Sequence, residues 1–270
     1  MAAQQNANGP DLHFGLCTYL VGADMDLPTL IDVCERSGME GLEPRTTHAH
    51  GIEPSLDAGG RGRVREQFDR TNVKLHTLGT ACEFHSADPD EVRRNIEQTI
   101  EFIGLAADIG AVGVKVRPNG LRSDVPEDQT LRQIGEAAAE CGQAAEDEGV
   151  EVYIECHGKD TQEPSRMARI MEHCGHPAVG LCWNCNPGDV RGGSIAETFP
   201  VCRPWVRHVH IHTLTNPDVY PWPELFGMLK EMNFRGWTMI ETKPEGNDPV
   251  TFLTAQREEW DRLVSGSADR

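Results

Sequence analysis

The chain has 270 residues, a length that suits one large α/β domain with a substantial buried core. Its formal net charge of −18 argues against a nucleic-acid-binding surface, because phosphate contacts need clustered Lys and Arg, and it disfavours anionic membranes for the same reason. Nine cysteines without the spacing of a disulfide framework, a polar start and no long apolar run predict a cytoplasmic protein with free thiols. A small-molecule substrate is compatible with all of these features.

Short apolar runs of strand character alternate with helix-like runs along the chain. The polar residues 1–10 predict a disordered tail, and 266–270 a short C-terminal tail. The predicted strands are 12–17, 39–43, 73–78, 111–116, 150–158, 179–183, 206–211 and 237–240, and the helices that follow them are 27–37, 60–70, 90–109, 129–148, 164–174, 194–201, 222–232 and 250–264. Eight β-then-α units without a linker predict a single-domain (β/α)8 TIM barrel over residues 11–265. Neither a GxGxxG nor a GxxxxGK[ST] phosphate loop occurs, so an open nucleotide-binding sheet has no fingerprint here.

The fifth predicted strand, residues 150–158, has one apolar and one polar face. Read with a period of two, Val152 and Ile154 share the first face, and Tyr153, Glu155 and His157 share the second. The polar face ends in a carboxylate and an imidazole just where the strand runs out. Because barrel enzymes build their sites at the C-terminal ends of strands, this stretch predicts one wall of an active site.

The same alternation recurs in other predicted strands. Their polar faces carry Glu43 and Arg45, His76, Lys115 and Arg117, His208, His210 and His212, and Glu241. Glu155, His210 and Glu241 end the fifth, seventh and eighth strands, so they would converge on one mouth. Two facing carboxylates would repel each other and raise one pKa, and a divalent cation between them removes that cost and supplies a Lewis acid. The strand ends therefore predict a metal site.

Five segments resemble the sugar phosphate isomerase/epimerase superfamily, the xylose isomerase-like barrels. Residues 152–155 (VYIE) are similar to its metal-binding Glu strand, 208–210 (HVH) to its HxH motif and 237–241 (WTMIE) to its final Glu strand, and 41–43 (GLE) to its second strand. Residues 179–184 (VGLCWN) resemble the strand whose last position is normally a ligand Asp, which is Asn184 here. The resemblance extends from residue 15 to about residue 263 and implies the metal ligands Glu155, Asn184, His210 and Glu241. Asp189 stands as an alternative to Asn184.

This implied ligand set favours Mn²⁺, with Mg²⁺, Co²⁺ and Zn²⁺ as alternatives, because it mixes oxygen and nitrogen donors. The family resemblance implies a sugar isomerase or epimerase that removes a proton next to a metal-bound carbonyl and forms an enediolate. Glu155 and Glu241 would be the base and the acid on opposite sides of a ketose or keto-sugar. The predicted substrate-binding residues are His157, His212, Lys115, Arg117, His76, Glu43 and Arg45.

Two other functions stay open. The same proton abstraction can lead to β-elimination, so a lyase or dehydratase acting on an inosose or a 3-keto-glycoside is an alternative, with His157, His212 and His76 as general acids. The departure at Asn184 also leaves room for a non-catalytic sugar-binding barrel. The endonuclease branch of the superfamily is disfavoured by the negative charge. The predicted partners are a sugar substrate and, by analogy with relatives, a second or further copies of the chain in a homodimer or homotetramer.

Overall fold

The structure, a computed structural model, describes residues 10–246 and 248–266. Within them nine parallel strands alternate with eight α-helices, which confirms the predicted single-domain TIM barrel. The strands are β1 Asp11–Cys17, β2 Gly41–Glu43, β3 Lys74–Leu75, β4 Thr77–Glu83, β5 Gly113–Arg117, β6 Glu151–Glu155, β7 Val179–Trp183, β8 Val206–Ile211 and β9 Arg235–Ile240. The helices are α1 Leu27–Ser37, α2 Ala58–Asp69, α3 Pro89–Ile109, α4 Glu127–Glu148, α5 Pro164–Cys174, α6 Phe199–Cys202, α7 Trp222–Glu231 and α8 Pro249–Ser265. The predicted tails fall mainly on residues 1–9 and 267–270, which lie outside the described residues.

Where predicted and observed bounds differ, most ends shift by one to three residues, but two elements differ more. The third predicted strand, 73–78, is divided at His76 into β3 and β4, and β4 continues to Glu83. The helix predicted for 194–201 begins only at Phe199, because Gly192 and Gly193 adopt positive φ and turn the chain into a β-bridge between Arg191 and Ser194. Both differences lie between elements and leave the order of the barrel unchanged.

The sheet closes on itself at the break between β3 and β4. Its strand order runs β3-β2-β1-β9-β8-β7-β6-β5-β4, so the two ends are consecutive in the chain. The chain after β2 pairs with β4 through a parallel bridge between Arg45 and Gly79. In addition, the His76 amide donates to the Leu42 carbonyl at 3.0 Å, and the Gly79 amide donates to the Pro44 carbonyl at 2.9 Å. Closure brings the C-terminal ends of all the strands to one mouth.

Large rings fill the N-terminal end of the barrel, and glycines on neighbouring strands make room for them. The His13 and His76 rings each stack on Trp237 with centroids 4.9 Å apart. A Cβ atom added at Gly41 would lie 2.2 Å from the Trp237 ring, closer than any packed contact allows. The apolar strand faces, such as Val152 and Ile154, are fully buried. Tyr153, between these two residues in the chain, stacks on His208 with ring centroids 5.2 Å apart, so the polar face of the strand meets the other rings inside the barrel.

Two further features bear on the sequence predictions. All nine cysteines are buried with free thiols, as their spacing predicted. Among the described residues no helix combines the length and apolar character needed to cross a membrane.

We expect Gly41→Ala to lower the free energy of unfolding by about 1–3 kcal/mol, because the added methyl group overlaps the Trp237 ring. Gly62→Ala is the matched control. Gly62 is an exposed residue of α2 with no atom near its would-be Cβ, so this change should stabilise the protein by about 0.5–1 kcal/mol through helix propensity. Denaturant unfolding of both variants measures the difference, and equal effects would contradict the packing argument.

Candidate metal and active site

Three predicted ligands converge at the mouth of the barrel. Nδ1 of His210, near the end of β8, lies 3.2 Å from Oε2 of Glu241 and 3.6 Å from Oε1 of Glu155. One ligand atom from each of the three residues lies within 4.8 Å of the others. His210 and Glu155 are buried, and Glu241 is 14% exposed. The group is therefore closed below and open only toward the mouth.

Two buried polar atoms at this site have no hydrogen-bond partner among the described residues. They are Nδ1 of His210 and the side-chain oxygen Oδ1 of Asn184, which directly follows β7. Leaving such an atom unpaired costs about 1–3 kcal/mol, so each calls for a ligand. With the oxygens of Glu155 and Glu241 they form a mixed oxygen and nitrogen donor set that fits a divalent cation.

The His212 ring joins the two strand ends that carry Asn184 and Glu241. Its Nδ1 lies 2.8 Å from the backbone carbonyl of Glu241, and its Nε2 lies 3.1 Å from the backbone carbonyl of Asn184. One imidazole therefore spans the ends of β7 and β9. This contact holds two predicted ligands on the same side of the mouth.

Glu43, at the end of β2, orients His210 from below. Its carboxylate accepts from Nε2 of His208 at 2.7 Å and from Nε2 of His210 at 3.1 Å. Because the His210 proton is then on Nε2, its Nδ1 keeps a lone pair for a metal. Glu43 is fully buried, so the structure places it as a positioning residue under the site instead of bringing it to the substrate as predicted.

Lys115 lies beside Glu155 instead of projecting into the mouth. Its Nζ is 2.5 Å from Oε2 of Glu155, and both residues are buried. Burial alone would raise the pKa of Glu155, but the Lys115 ammonium outweighs it and holds that pKa below its usual range. Burial would likewise lower the pKa of Lys115, and Glu155, Glu43 and Glu241 together raise it. Glu155 is thus an ionised carboxylate whose other oxygen, Oε1, faces His210.

The surroundings of His210 favour positive charge. Burial would lower the pKa of its imidazole, yet Cys182, Glu43 and Glu241 outweigh burial and raise this pKa. A site whose electrostatics stabilise a proton on a histidine also stabilises a metal cation at the same lone pair. The electrostatics around His210 and the unpartnered atoms therefore both favour a bound cation at this position.

A cavity of 440 Å³ opens directly above these residues. Its walls are formed by Tyr19, Leu20, His157, Asn184, His212, Thr213, Val219, Glu241, Thr242 and Lys243. A second cavity, of 550 Å³, lies at the opposite end of the barrel, where His13, His76 and Trp237 are found. Only the first adjoins the predicted ligands, so the mouth cavity is the candidate substrate site.

The predicted substrate-binding residues are not all brought together. His157 and His212 line the mouth cavity. Arg117 donates to Oε1 of Glu83 at 2.5 Å, and the Arg45 guanidinium lies 5.5 Å from the Tyr19 ring centroid at the rim. His76 lies at the opposite end of the barrel, where its Nε2 is 3.2 Å from Nδ1 of His208. An alternating pattern gives the face of a strand but not the depth along the barrel axis, and this is why His76 was placed at the mouth.

Sequence reasoning did not select two residues that support the site. His208 is hydrogen-bonded to Glu43, and the HxH motif of residues 208–210 could have indicated its place in the site. Asn119 contacts His157, but it lies in a Pro-Asn-Gly segment that is typical of a plain turn. Nothing in the sequence marked it as part of a site.

Asp189, the alternative ligand, lies in the loop after β7 with its side chain turned toward the backbone. Its Oδ2 accepts from the Asn186 amide at 2.8 Å, and the residue is 1% exposed. Burial raises the pKa of its carboxyl from 3.8 to about 7. Asp189 is absent from the groups of described His, Cys, Asp and Glu residues that could share a metal, whereas Asn184 presents a buried, unpartnered oxygen.

Comparison with known proteins places this geometry in a family. The model of the xylose isomerase-like TIM barrel family matches residues 31–263. The chain belongs to this family. The match confirms the resemblance inferred from the strand motifs, and it covers the segments that carry Glu155, His210 and Glu241. A search of the curated proteins found no match to this sequence.

Several solved structures superpose closely on this chain despite low sequence identity. An L-ribulose 3-epimerase aligns with a TM-score of 0.79 at 14% identity, covering 94% of this chain and 95% of that one. The IolI protein with a bound zinc atom aligns with a TM-score of 0.76 at 15% identity, covering 96% of this chain and 100% of that one. The 3-keto-D-glucoside 4-epimerase YcjR of E. coli gives 0.74 at 15%, covering 94% and 100%. At these identities the likeness shows the fold of the family.

Asp189→Asn should stabilise the protein increasingly as the pH rises. Because the pKa of Asp189 is raised in the folded state, folding favours the neutral carboxyl, and the wild type loses stability as the pH rises from about 4 to about 7. The asparagine side chain keeps an oxygen that accepts from the Asn186 backbone N–H, but it never becomes charged. We expect the gain to reach about 4 kcal/mol at pH 8 and to vanish near pH 4. Denaturant unfolding at several pH values measures it, with the exposed Asp218→Asn as control. A gain independent of pH would contradict this explanation.

Proposed function

We propose that this barrel is a metal-dependent sugar isomerase or epimerase that removes a proton next to the carbonyl of a ketose or keto-sugar. The observation that carries the proposal is the set of two carboxylates, Glu155 and Glu241, around the unpartnered Nδ1 of His210 and Oδ1 of Asn184. The epimerase activities named for two similar structures, and the zinc atom named for a third, support it.

Glu155, Asn184, His210 and Glu241 would hold the cation. When bound, it would supply a Lewis acid that makes the proton beside a carbonyl more acidic. We propose Mn²⁺ because the donor set is mixed and carries two carboxylates, with Mg²⁺, Co²⁺ and Zn²⁺ as alternatives. His210 is oriented for this role by Glu43, which leaves its Nδ1 facing the donor oxygens.

The two carboxylates would act as a base and an acid on the substrate. Lys115 keeps Glu155 ionised and occupies Oε2, so Oε1 would serve both the cation and the substrate proton, with one lone pair for each. Glu241 lines the mouth cavity and can return a proton from a different wall. His157 lines the same cavity and would bind a substrate hydroxyl. His212 also lines it, but its two ring nitrogens face the carbonyls of Glu241 and Asn184, so its role would be to hold that wall in place. Rim residue Arg45 stays a candidate for longer substrates, whereas Arg117 is engaged by Glu83.

β-Elimination is the second candidate function. It uses the same proton abstraction, and Asn184 in place of a ligand aspartate is the observation that favours a departure from simple epimerisation. Mass analysis of the product separates the two, because an epimer keeps the mass of its substrate and an elimination loses water or an aglycone. The cytoplasmic location and the homo-oligomeric state stay predictions.

Glu155→Gln and Glu241→Gln should each abolish solvent deuterium incorporation into a ketose or keto-sugar, a loss of at least about 10²-fold, because an amide cannot accept or return the proton. Metal content is measured in parallel to separate loss of the acid or base from loss of the cation. The exposed Glu231→Gln variant of α7 is the control and should exchange normally. Undiminished exchange in either site variant would refute its assigned role.

Asn184→Asp should tighten divalent metal binding by about tenfold, because it replaces a neutral ligand oxygen by a charged one. The exposed Asn72→Asp variant adds the same charge in the loop before β3, at the other end of the barrel, and is the control. Competition with a chelator measures the dissociation constant. If Asn184→Asp left the affinity unchanged while Asn72→Asp behaved as wild type, Asn184 would not be a ligand.

A further inference from the structure

Two loops at the mouth are fastened together beside His157. They are 118–120, which follows β5, and 156–161, which follows β6. The Gly120 amide donates to the Thr161 hydroxyl at 3.0 Å, and that hydroxyl donates to the His157 carbonyl at 2.9 Å. A Cβ atom at Gly158 would lie 2.6 Å from Cα of Asn119, so the backbones touch where only glycine fits. The position of Asn119 relative to His157 is therefore fixed by the backbone.

A chain of side chains determines which way the Asn119 amide points. Nη2 of Arg117 donates to Oε1 of Glu83 at 2.5 Å, and Nδ2 of Asn119 donates to the same oxygen. A carboxylate accepts hydrogen bonds and cannot donate them, so the NH₂ group of Asn119 must face Glu83. Its oxygen Oδ1 then faces Nδ1 of His157, 2.6 Å away. An amide oxygen only accepts, so Nδ1 of His157 carries the proton.

The other ring nitrogen of His157, Nε2, is left for the mouth cavity that this residue lines. His157 lines the mouth cavity, and within residues 10–246 and 248–266 no group is hydrogen-bonded to its Nε2. A neutral imidazole has one proton, and here it lies on Nδ1, so Nε2 presents a lone pair. We infer that the Arg117–Glu83–Asn119 chain locks His157 in its Nδ1–H tautomer and thereby makes Nε2 a hydrogen-bond acceptor for a substrate hydroxyl at the mouth.

This inference rests on the proposed function for the kind of substrate, a polyhydroxylated carbonyl compound, but its tautomer is a property of the protein alone. It assigns Asn119 and Glu83 as positioning residues and gives Arg117 the same role. An unprotonated Nε2 accepts a hydrogen bond from a hydroxyl group, and it has no proton to donate to a leaving oxygen. His157 therefore selects a hydroxyl, and it is not the acid that the elimination reaction requires.

Long-range ¹H–¹⁵N NMR of the histidine-labelled full-length protein loaded with Zn²⁺ tests the tautomer directly. His157→Gln identifies the signals of His157 by their disappearance. We expect the wild type to show a protonated Nδ1 and an unprotonated Nε2 at neutral pH. Protonation on Nε2, alone or on both nitrogens, would overturn the inference without bearing on the proposed function.

Asn119→Gly removes the amide and tolerates the positive φ of 55° at this position. We expect it to release His157 into a mixture with the Nε2–H tautomer. Asn233→Gly is the matched control, because it makes the same change at an exposed asparagine with a positive φ of 51° at the opposite end of the barrel, and it should retain the Nδ1–H tautomer. If Asn119→Gly left the tautomer unchanged, the orienting role of the chain would be refuted.

Addition of L-ribulose or D-fructose tests the acceptor role. A hydroxyl donated to Nε2 should shift its ¹⁵N signal in the wild type, and the KM for exchange should rise about tenfold in Asn119→Gly with a smaller change in kcat. A ketose that undergoes exchange without moving the Nε2 signal would overturn the acceptor role and leave the proposed function standing. Failure of exchange in a wild type with the expected tautomer and a shifted Nε2 signal would refute the proposed function alone.

Discussion

The hydrogen bonds of the Glu43 carboxylate to His208 and His210 lie at the centre of this barrel. The interior of a TIM barrel is usually packed with branched apolar side chains, and a carboxylate there has to be matched by donors. Here two imidazoles supply them, and the same bonds decide which nitrogen of His210 faces the mouth. The internal structure of the barrel and the direction of its proposed metal ligand therefore follow from one contact.

The rest of the interior is arranged around this polar core. Below it, His76 contacts Nδ1 of His208 and stacks on Trp237, for which Gly41 leaves space. Above it, Lys115 and Glu155 neutralise each other at 2.5 Å. The barrel thus passes from stacked rings at one end, through a hydrogen-bonded carboxylate, to a cluster of unpartnered ligand atoms at the other.

The sequence predicts the fold of this protein more completely than it predicts the arrangement of the candidate site. The eight units and the inward faces follow from alternation and from glycine and proline signals, and the bounds of α5 and β7 agree to the residue. Convergence of Glu155, His210 and Glu241 follows because they all end parallel strands. The alternation of polar and apolar residues does not give the position of a side chain along the barrel axis, so His76 was predicted at the substrate site although it lies at the opposite end. The orientation of His157 by Asn119 depends on a contact between two loops that no periodicity records.

Lys115 has a consequence for how the protein is assembled in a cell. Three carboxylates, Glu43, Glu155 and Glu241, share its surroundings, and their attraction raises its pKa. The ammonium is a permanent counter-ion supplied by the chain, so the carboxylates do not have to wait for a metal before the barrel closes around them. In zinc fingers, by contrast, metal binding and folding are one event. Because Lys115 supplies this positive charge, folding of the barrel would not depend on loading of the proposed metal.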